Sequence, residues 1–256
     1  MIVTEWIDGT GFDDVCRLPD AVRDRYAEII YRFFYGTARD MGLALGDPHP
    51  GNYRLCADGS VAFFDFGMLR PLPGGYLARE AAVSRAVSAG DEQAVIGGMH
   101  ALGYLPGNPG NWDAGLLLEY MRALSWWLTV DGPLRLAPGD VWRAAELLRA
   151  ADGRTRFAPL RNMTFPAEAL LLRRMDGLLF QMAATLRASA HWGGLLRELT
   201  EGGETISELG AQHAAWLANR HPRAPGRGPG TPMALARETD DRLSGAVPPD
   251  AAALVA

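Results

Sequence analysis

Three polar residues stand out by type and spacing. Asp47 and Asn52 lie five positions apart in Gly46-Asp47-Pro48-His49-Pro50-Gly51-Asn52, and Asp65 opens Asp65-Phe66-Gly67. Phosphoryl transfer needs little covalent help from a protein. It needs a carboxylate to orient the attacking hydroxyl, and oxygen ligands for the magnesium that bridges the phosphates. Asp47 suits the first role and is the candidate catalytic residue. Asn52 and Asp65 suit the second and are the candidate metal ligands.

These residues can act together only if the intervening chain positions them. Tyr53-Arg54-Leu55-Cys56 reads as a strand, Asp58-Gly59 as a hairpin turn, and Val61-Ala62-Phe63-Phe64 as the return strand. Such a hairpin sets Asn52 and Asp65 at its open end, about one strand spacing apart, roughly 5 Å. Upstream, Pro19-Asp20 opens a long helix that Met41-Gly42 closes. Val22, Tyr26, Ile29, Ile30, Phe33 and Thr37 form its apolar stripe. It is the pillar expected to carry the loop.

Met68 to Gly75, rich in proline and glycine, reads as loop. Further helices are expected over 77–89, 92–103, 113–130, 138–151, 166–187, 192–200 and 206–219. Trp126-Trp127 reads as one core and one surface tryptophan rather than a membrane anchor. Residues 1–9 look strand-like up to Asp8-Gly9. A lone strand cannot pair with itself, so the segment wants a partner or serves as a linker. From 220 to 256 the composition turns to Pro, Gly and Arg and predicts a disordered tail.

A chain of 256 residues with 48% hydrophobic content can bury a sizeable core. Its net charge of −5 gives no electrostatic footprint for nucleic acid. Two cysteines, Cys16 and Cys56, are too few for a disulfide framework, and Cys56 reads as a buried small hydrophobe. Neither a basic leader nor a long apolar span is visible. The expected location is the cytoplasm, with a peripheral place at a membrane left open. All 25 basic residues other than histidine are arginine, and lysine is absent. Arginine usage with abundant Ala and Gly suggests a GC-rich, bacterial coding sequence.

Loop, hairpin and Asp-Phe-Gly in this order resemble the catalytic loop and metal-binding segment of protein kinases. More closely they resemble the UbiB/AarF/ADCK family of atypical, protein-kinase-like proteins, whose loop reads His-x-Asp-x-His-Pro-Gly-Asn. Asp47, His49, Pro50, Gly51 and Asn52 match that pattern, and Met68 follows Asp65-Phe66-Gly67 as in the family. Leu45 stands where the family has its first histidine.

The resemblance implies an α+β, predominantly helical fold: a protein-kinase-like C-terminal (large) lobe with one short β-hairpin. It divides the chain into a hinge-like start (1–9), the lobe with a helical extension (10–219) and the tail (220–256). It implies ATP and magnesium as cofactors, with Glu5 and Ile7 at the hinge meeting the adenine through backbone groups. Quinone or isoprenoid lipid metabolism is the implied setting. Kinases hold the α- and β-phosphates with a small-lobe lysine, and a chain without lysine cannot supply it. The expectation is therefore a truncated lobe, or one completed by a second chain, that alone turns over ATP negligibly. Two alternatives stand beside it: a non-catalytic, pseudokinase-like binding module, and an aminoglycoside- or choline-type small-molecule phosphotransferase.

Overall fold

The computed structural model describes residues 6–150 and 156–220, apart from the side chains of 147–150 and 220. Glu5 and the tail lie outside the described residues.

Helix α1 (Phe12–Val15) is one turn. Helix α2 (Asp20–Met41) is the 22-residue pillar, and Gly42 ends it in the left-handed conformation (φ 64°) that glycine adopts without a Cβ penalty. Its buried positions are Tyr26, Ala27, Ile30, Tyr31, Phe34, Tyr35 and Ala38 among others. The stripe expected from the sequence is thus correct at Tyr26 and Ile30, but the buried surface is wider. The helix is enclosed on more than one side, by strand β1 (Leu43–Leu45) and by helices that come much later in the chain. Tyr31 sits at the centre of this core, stacked on Tyr35 (4.8 Å between centroids) and edge-on to Trp192 (5.6 Å).

Strands β2 (Tyr53–Leu55) and β3 (Val61–Phe63) form the expected antiparallel hairpin, in register Tyr53↔Phe63 and Leu55↔Val61. Gly59 (φ 80°) makes the turn, and the Asp58 carboxylate accepts from the Ser60 amide at 2.9 Å. Thr10 adds an isolated bridge to Leu55 at the hairpin edge, while residues 6–9 have no regular structure. Cys56 lies just past β2 and is half-buried rather than buried.

A strand β4 (Leu69–Pro71) replaces part of the expected loop and pairs antiparallel with β1, Leu45 opposite Leu69 and Leu43 opposite Pro71. Pro71 is tolerated because it lies on the outside of a two-stranded ribbon, where no partner asks for its missing N–H.

The remainder is helical: α3 (Tyr76–Ala89), α4 (Glu92–Ala101), α5 (Ala114–Leu124) and α6 (Trp126–Thr129). The expected 113–130 helix is therefore interrupted at Ser125. Trp127 is buried, and Trp126 is half-buried against the core. A two-residue strand β5 (Leu134–Arg135) and helix α7 (Pro138–Ala150) follow. Helix α8 (Leu170–Thr185) starts four residues later than Pro166 because Pro166–Ala169 forms a separate turn. Strand β6 (Ser189–Ala190) pairs with β5, and α9 (Trp192–Glu201) and α10 (Glu208–Arg220) complete the order. The fold is a mostly helical lobe in which strands β1 to β4 frame one loop, while β5 and β6 form a separate short ladder.

Candidate active site

Two ladders nested in sequence build the site. The outer ladder joins β1 to β4, and the inner one joins β2 to β3. Segments 46–52 and 64–68 are what remains between them, so both motifs must lie side by side. Each junction is sealed by a backbone bond. The Gly46 amide donates to Met68 O at 2.8 Å, and the Phe64 amide donates to Asn52 O at 2.7 Å. Phe33 of α2 stacks on Phe63 with 3.8 Å between centroids and holds the inner hairpin against the pillar.

Within this frame Asp47, Asn52 and Asp65 line one small depression with Phe33, Phe34, Leu45, Phe63, Phe64, Phe66 and Met68. The Asn52 amide nitrogen donates to Asp47 O and to Asp47 Oδ2, both at 3.2 Å. That orientation leaves the Asn52 carbonyl oxygen for a cation. His49 caps the short 50–52 turn, its Nδ1 accepting from the Gly51 amide at 3.1 Å. Buried Leu45 faces Leu69 across the outer ladder. Apolar packing thus anchors the loop where a histidine would have used hydrogen bonds.

Asp65 has φ 58°, a left-handed backbone that costs a non-glycine residue about 1 kcal/mol or more. Its Oδ1 accepts from the Gly67 amide at 2.9 Å, and Oδ2 of this exposed residue has no hydrogen-bond partner among the described residues. Strain of this kind persists where the surroundings impose it, and such positions cluster at functional sites.

Sequence reasoning missed Arg174. From α8, its Nε donates to Gly46 O at 2.8 Å and its Nη2 pairs with Asp47 Oδ1 at 2.9 Å. Leu171, one turn earlier, packs so close to Gly46 that a Cβ there would lie 2.7 Å from its Cδ2. Helix α8 is itself braced. Arg173 contacts Glu80 and Asp176, each at 3.1 Å, while Tyr104 donates to Glu80 at 2.8 Å and Tyr35 donates to Asp176. Burial pushes the Asp176 carboxyl up despite Arg173. The one available signal was two adjacent arginines in the apolar run Leu170-Leu171-Leu172-Arg173-Arg174-Met175.

On the other face of the loop, His49, Pro50 and Gly51 border a cleft of about 630 Å³ with Phe12, Asp13, Tyr53 and, from α8, Leu178 and Met182. Ile7 is 37% exposed and lines neither concavity. No cluster of three or more His, Cys, Asp or Glu that could hold a metal ion occurs among the described residues.

Residues 1–97 match the family model of the ABC1 atypical kinase-like domain. That stretch is thus similar to the ABC1 atypical kinase-like domain, over a little more than a third of the chain. The curated protein Activity of BC1 Complex Kinase 1, chloroplastic, of Arabidopsis thaliana is 36% identical over 73 residues, which is 26% of this chain and 10% of that protein. The ABC1 match takes in the loop, the hairpin and Asp65-Phe66-Gly67, and stops before α8, so Arg174 lies beyond it. For the fold as a whole, the Rv3197–erythromycin complex from Mycobacterium tuberculosis superposes with a TM-score of 0.61 at 21% identity, covering 76% of this chain and 48% of that one. That likeness shows the fold. The chain thus spans about half of the solved protein and a tenth of the curated relative.

No helix among the described residues is long and apolar enough to cross a membrane.

Proposed function

We propose that this ABC1-like lobe takes part in magnesium- and ATP-dependent phosphoryl transfer, to a small-molecule hydroxyl or to water. The observation that carries the reading is the shared depression, where nested ladders set Asp47, hydrogen-bonded to Asn52, beside Asp65. Asp47 orients the acceptor hydroxyl and takes its proton as the new O–P bond forms and the bond to the departing diphosphate oxygen breaks. Asn52 Oδ1 and Asp65 Oδ2 are the oxygens that would hold magnesium. The ion would neutralise charge on the phosphates and take its remaining ligands from them and from water, as Mg²⁺ commonly does. The cleft beyond His49 falls within the usual size range of small-molecule pockets and is the candidate acceptor site.

Family resemblance extends the reading to quinone or isoprenoid lipid chemistry. It also assigns Glu5 and Ile7 to the adenine edge. The absence of lysine supports a lobe from elsewhere, in the same or another polypeptide, as the source of the remaining phosphate contacts. Alone, this chain should hydrolyse ATP no faster than its Asp65→Ala variant.

The test is binding of a fluorescent ATP analogue with and without magnesium. Magnesium-dependent binding that Asp65→Ala abolishes is expected. Equal binding by both proteins, regardless of magnesium, would overturn the reading and favour a non-catalytic module.

A further inference from the structure

We propose that Arg174 is the phosphate-binding cation of this site, and that it reaches a phosphate by releasing Asp47. The proposal rests on the phosphoryl-transfer reading and adds a residue and a closed state to it.

The argument starts from charge. A triphosphate beside two carboxylates needs a cation besides the metal. Lysine is absent, so any such cation from this chain is an arginine. Arg174 already touches the depression through Asp47, and its side chain is 48% exposed, against 27% for Asp47. Its Nε is tied to Gly46 O and its Nη2 to Asp47, while Nη1 has no hydrogen-bond partner among the described residues. A planar guanidinium held at two nitrogens, with Nη1 to spare and Nη2 on an exchangeable carboxylate, can match the paired oxygens of a phosphate once Asp47 is released.

The state of Asp47 points the same way. Arg174 occupies its Oδ1, and Asn52 occupies its Oδ2. Both oxygens of this base already accept a hydrogen bond, so an acceptor hydroxyl must compete with Arg174 or Asn52, and the depression measures about 10 Å³, room for roughly one water. This is a closed site. The Gly46 bond supplies a pivot: the guanidinium can keep Nε on Gly46 O and turn its outer nitrogens from Asp47 to an incoming phosphate. That movement would open the depression, free Oδ1 of the base and place a positive charge on the phosphates together. A half-exposed arginine–carboxylate pair is weak enough to exchange in this way, because solvent screens it and holding two long side chains costs entropy.

The experiment is a ³¹P NMR titration of magnesium tripolyphosphate with the full 256-residue chain, with thermal melts to confirm folding. Arg174→Gln should bind about tenfold more weakly, the scale of a charge-assisted hydrogen bond. Arg174→Lys should recover only part of that loss, because it keeps the charge but lacks both the fork and the bond to Gly46 O. Asp47→Asn should bind about threefold more tightly, since its neutral amide competes less well for the guanidinium. A purely structural arginine gives a different pattern: lysine and glutamine equally damaging, and no gain from Asp47→Asn. Either of those results, or the absence of any binding by the parent chain, overturns the proposal. Asp65→Ala separates the two claims. If it binds like the parent while Arg174→Gln does not, the metal reading fails and Arg174 keeps its assignment.

Discussion

Two arginines on this molecule meet carboxylates in opposite ways. Arg32 lies inside, its side chain 7% exposed, and all its nitrogens are engaged. Nε donates to Glu28 at 2.7 Å, Nη1 to Glu198 at 2.7 Å, and Nη2 to both Glu198 and Ser207 at 2.9 Å. Ser207 donates in turn to Glu28, and the Ile206 amide to Glu198 at 3.2 Å. The cluster ties α2 to α9 and to the start of α10. Arg174 is half exposed and has a nitrogen to spare. A closed set of partners fixes architecture, because removing a charged member leaves its partners buried without a counter-charge. An open set leaves capacity for a ligand.

The largest effect should come from breaking the closed set. Arg32→Ala strands Glu28 and Glu198 and should cost about 3–5 kcal/mol in denaturant unfolding, the scale of a broken buried pair. Arg174→Gln should cost less than about 1 kcal/mol in the same measurement. Comparable losses would mean the two arginines do the same job. Between these extremes lies Phe33→Ala. It removes the ring stacked on Phe63, and for a half-buried phenylalanine roughly 2 kcal/mol is expected. Because Phe63 adjoins the segment that carries Asp65, magnesium-dependent nucleotide binding should weaken as well. Undiminished binding would show that the outer ladder alone holds the site.

The closed set also has an acid signature. Burial raises the Glu198 carboxyl, but bonds from Arg32 and the Ile206 amide outweigh it, and the group sits below its ordinary value of 4.5. A depressed carboxyl contributes stability that is present above the unfolded value and lost as pH falls through the folded one. Unfolding free energy should therefore drop below about pH 4.5, and the drop should be shallower in Glu198→Gln. An unchanged acid limb in that variant would assign the loss to other carboxylates.

The inner half of the site was legible in the sequence, and the outer half was not. Tyr53–Phe63 announced itself by two strand-like runs around Asp58-Gly59, a local signal. The β1–β4 ladder joins two three-residue strands, one ending in Pro71 beside Pro73-Gly74-Gly75, and short segments of that kind carry no periodicity. Arg174 lies 127 positions from Asp47, and no motif spans that distance. The stripe on α2 was drawn too narrow because a helix enclosed on several sides has no single apolar face to read. Glu5 falls outside the described residues, and the position of Ile7 away from the depression leaves the hinge assignment resting on resemblance.

The smallest effect concerns Asp65, and it tests whether the open region trades stability for chemistry. At φ 58° an aspartate is strained, whereas glycine adopts the same backbone freely. Asp65→Gly relieves that strain but also loosens the unfolded chain and deletes the bond to the Gly67 amide. These terms nearly cancel, so the variant should unfold within about 1 kcal/mol of the parent. Asp65→Ala keeps the strain, loses the same bond and should be the less stable of the two. Both should lose magnesium-dependent nucleotide binding. Denaturant unfolding of the two variants beside the parent checks the order. Asp65→Ala being more stable than Asp65→Gly would mean that the left-handed backbone is not imposed by the nested ladders, and that Asp65 is held in place by its own side chain instead.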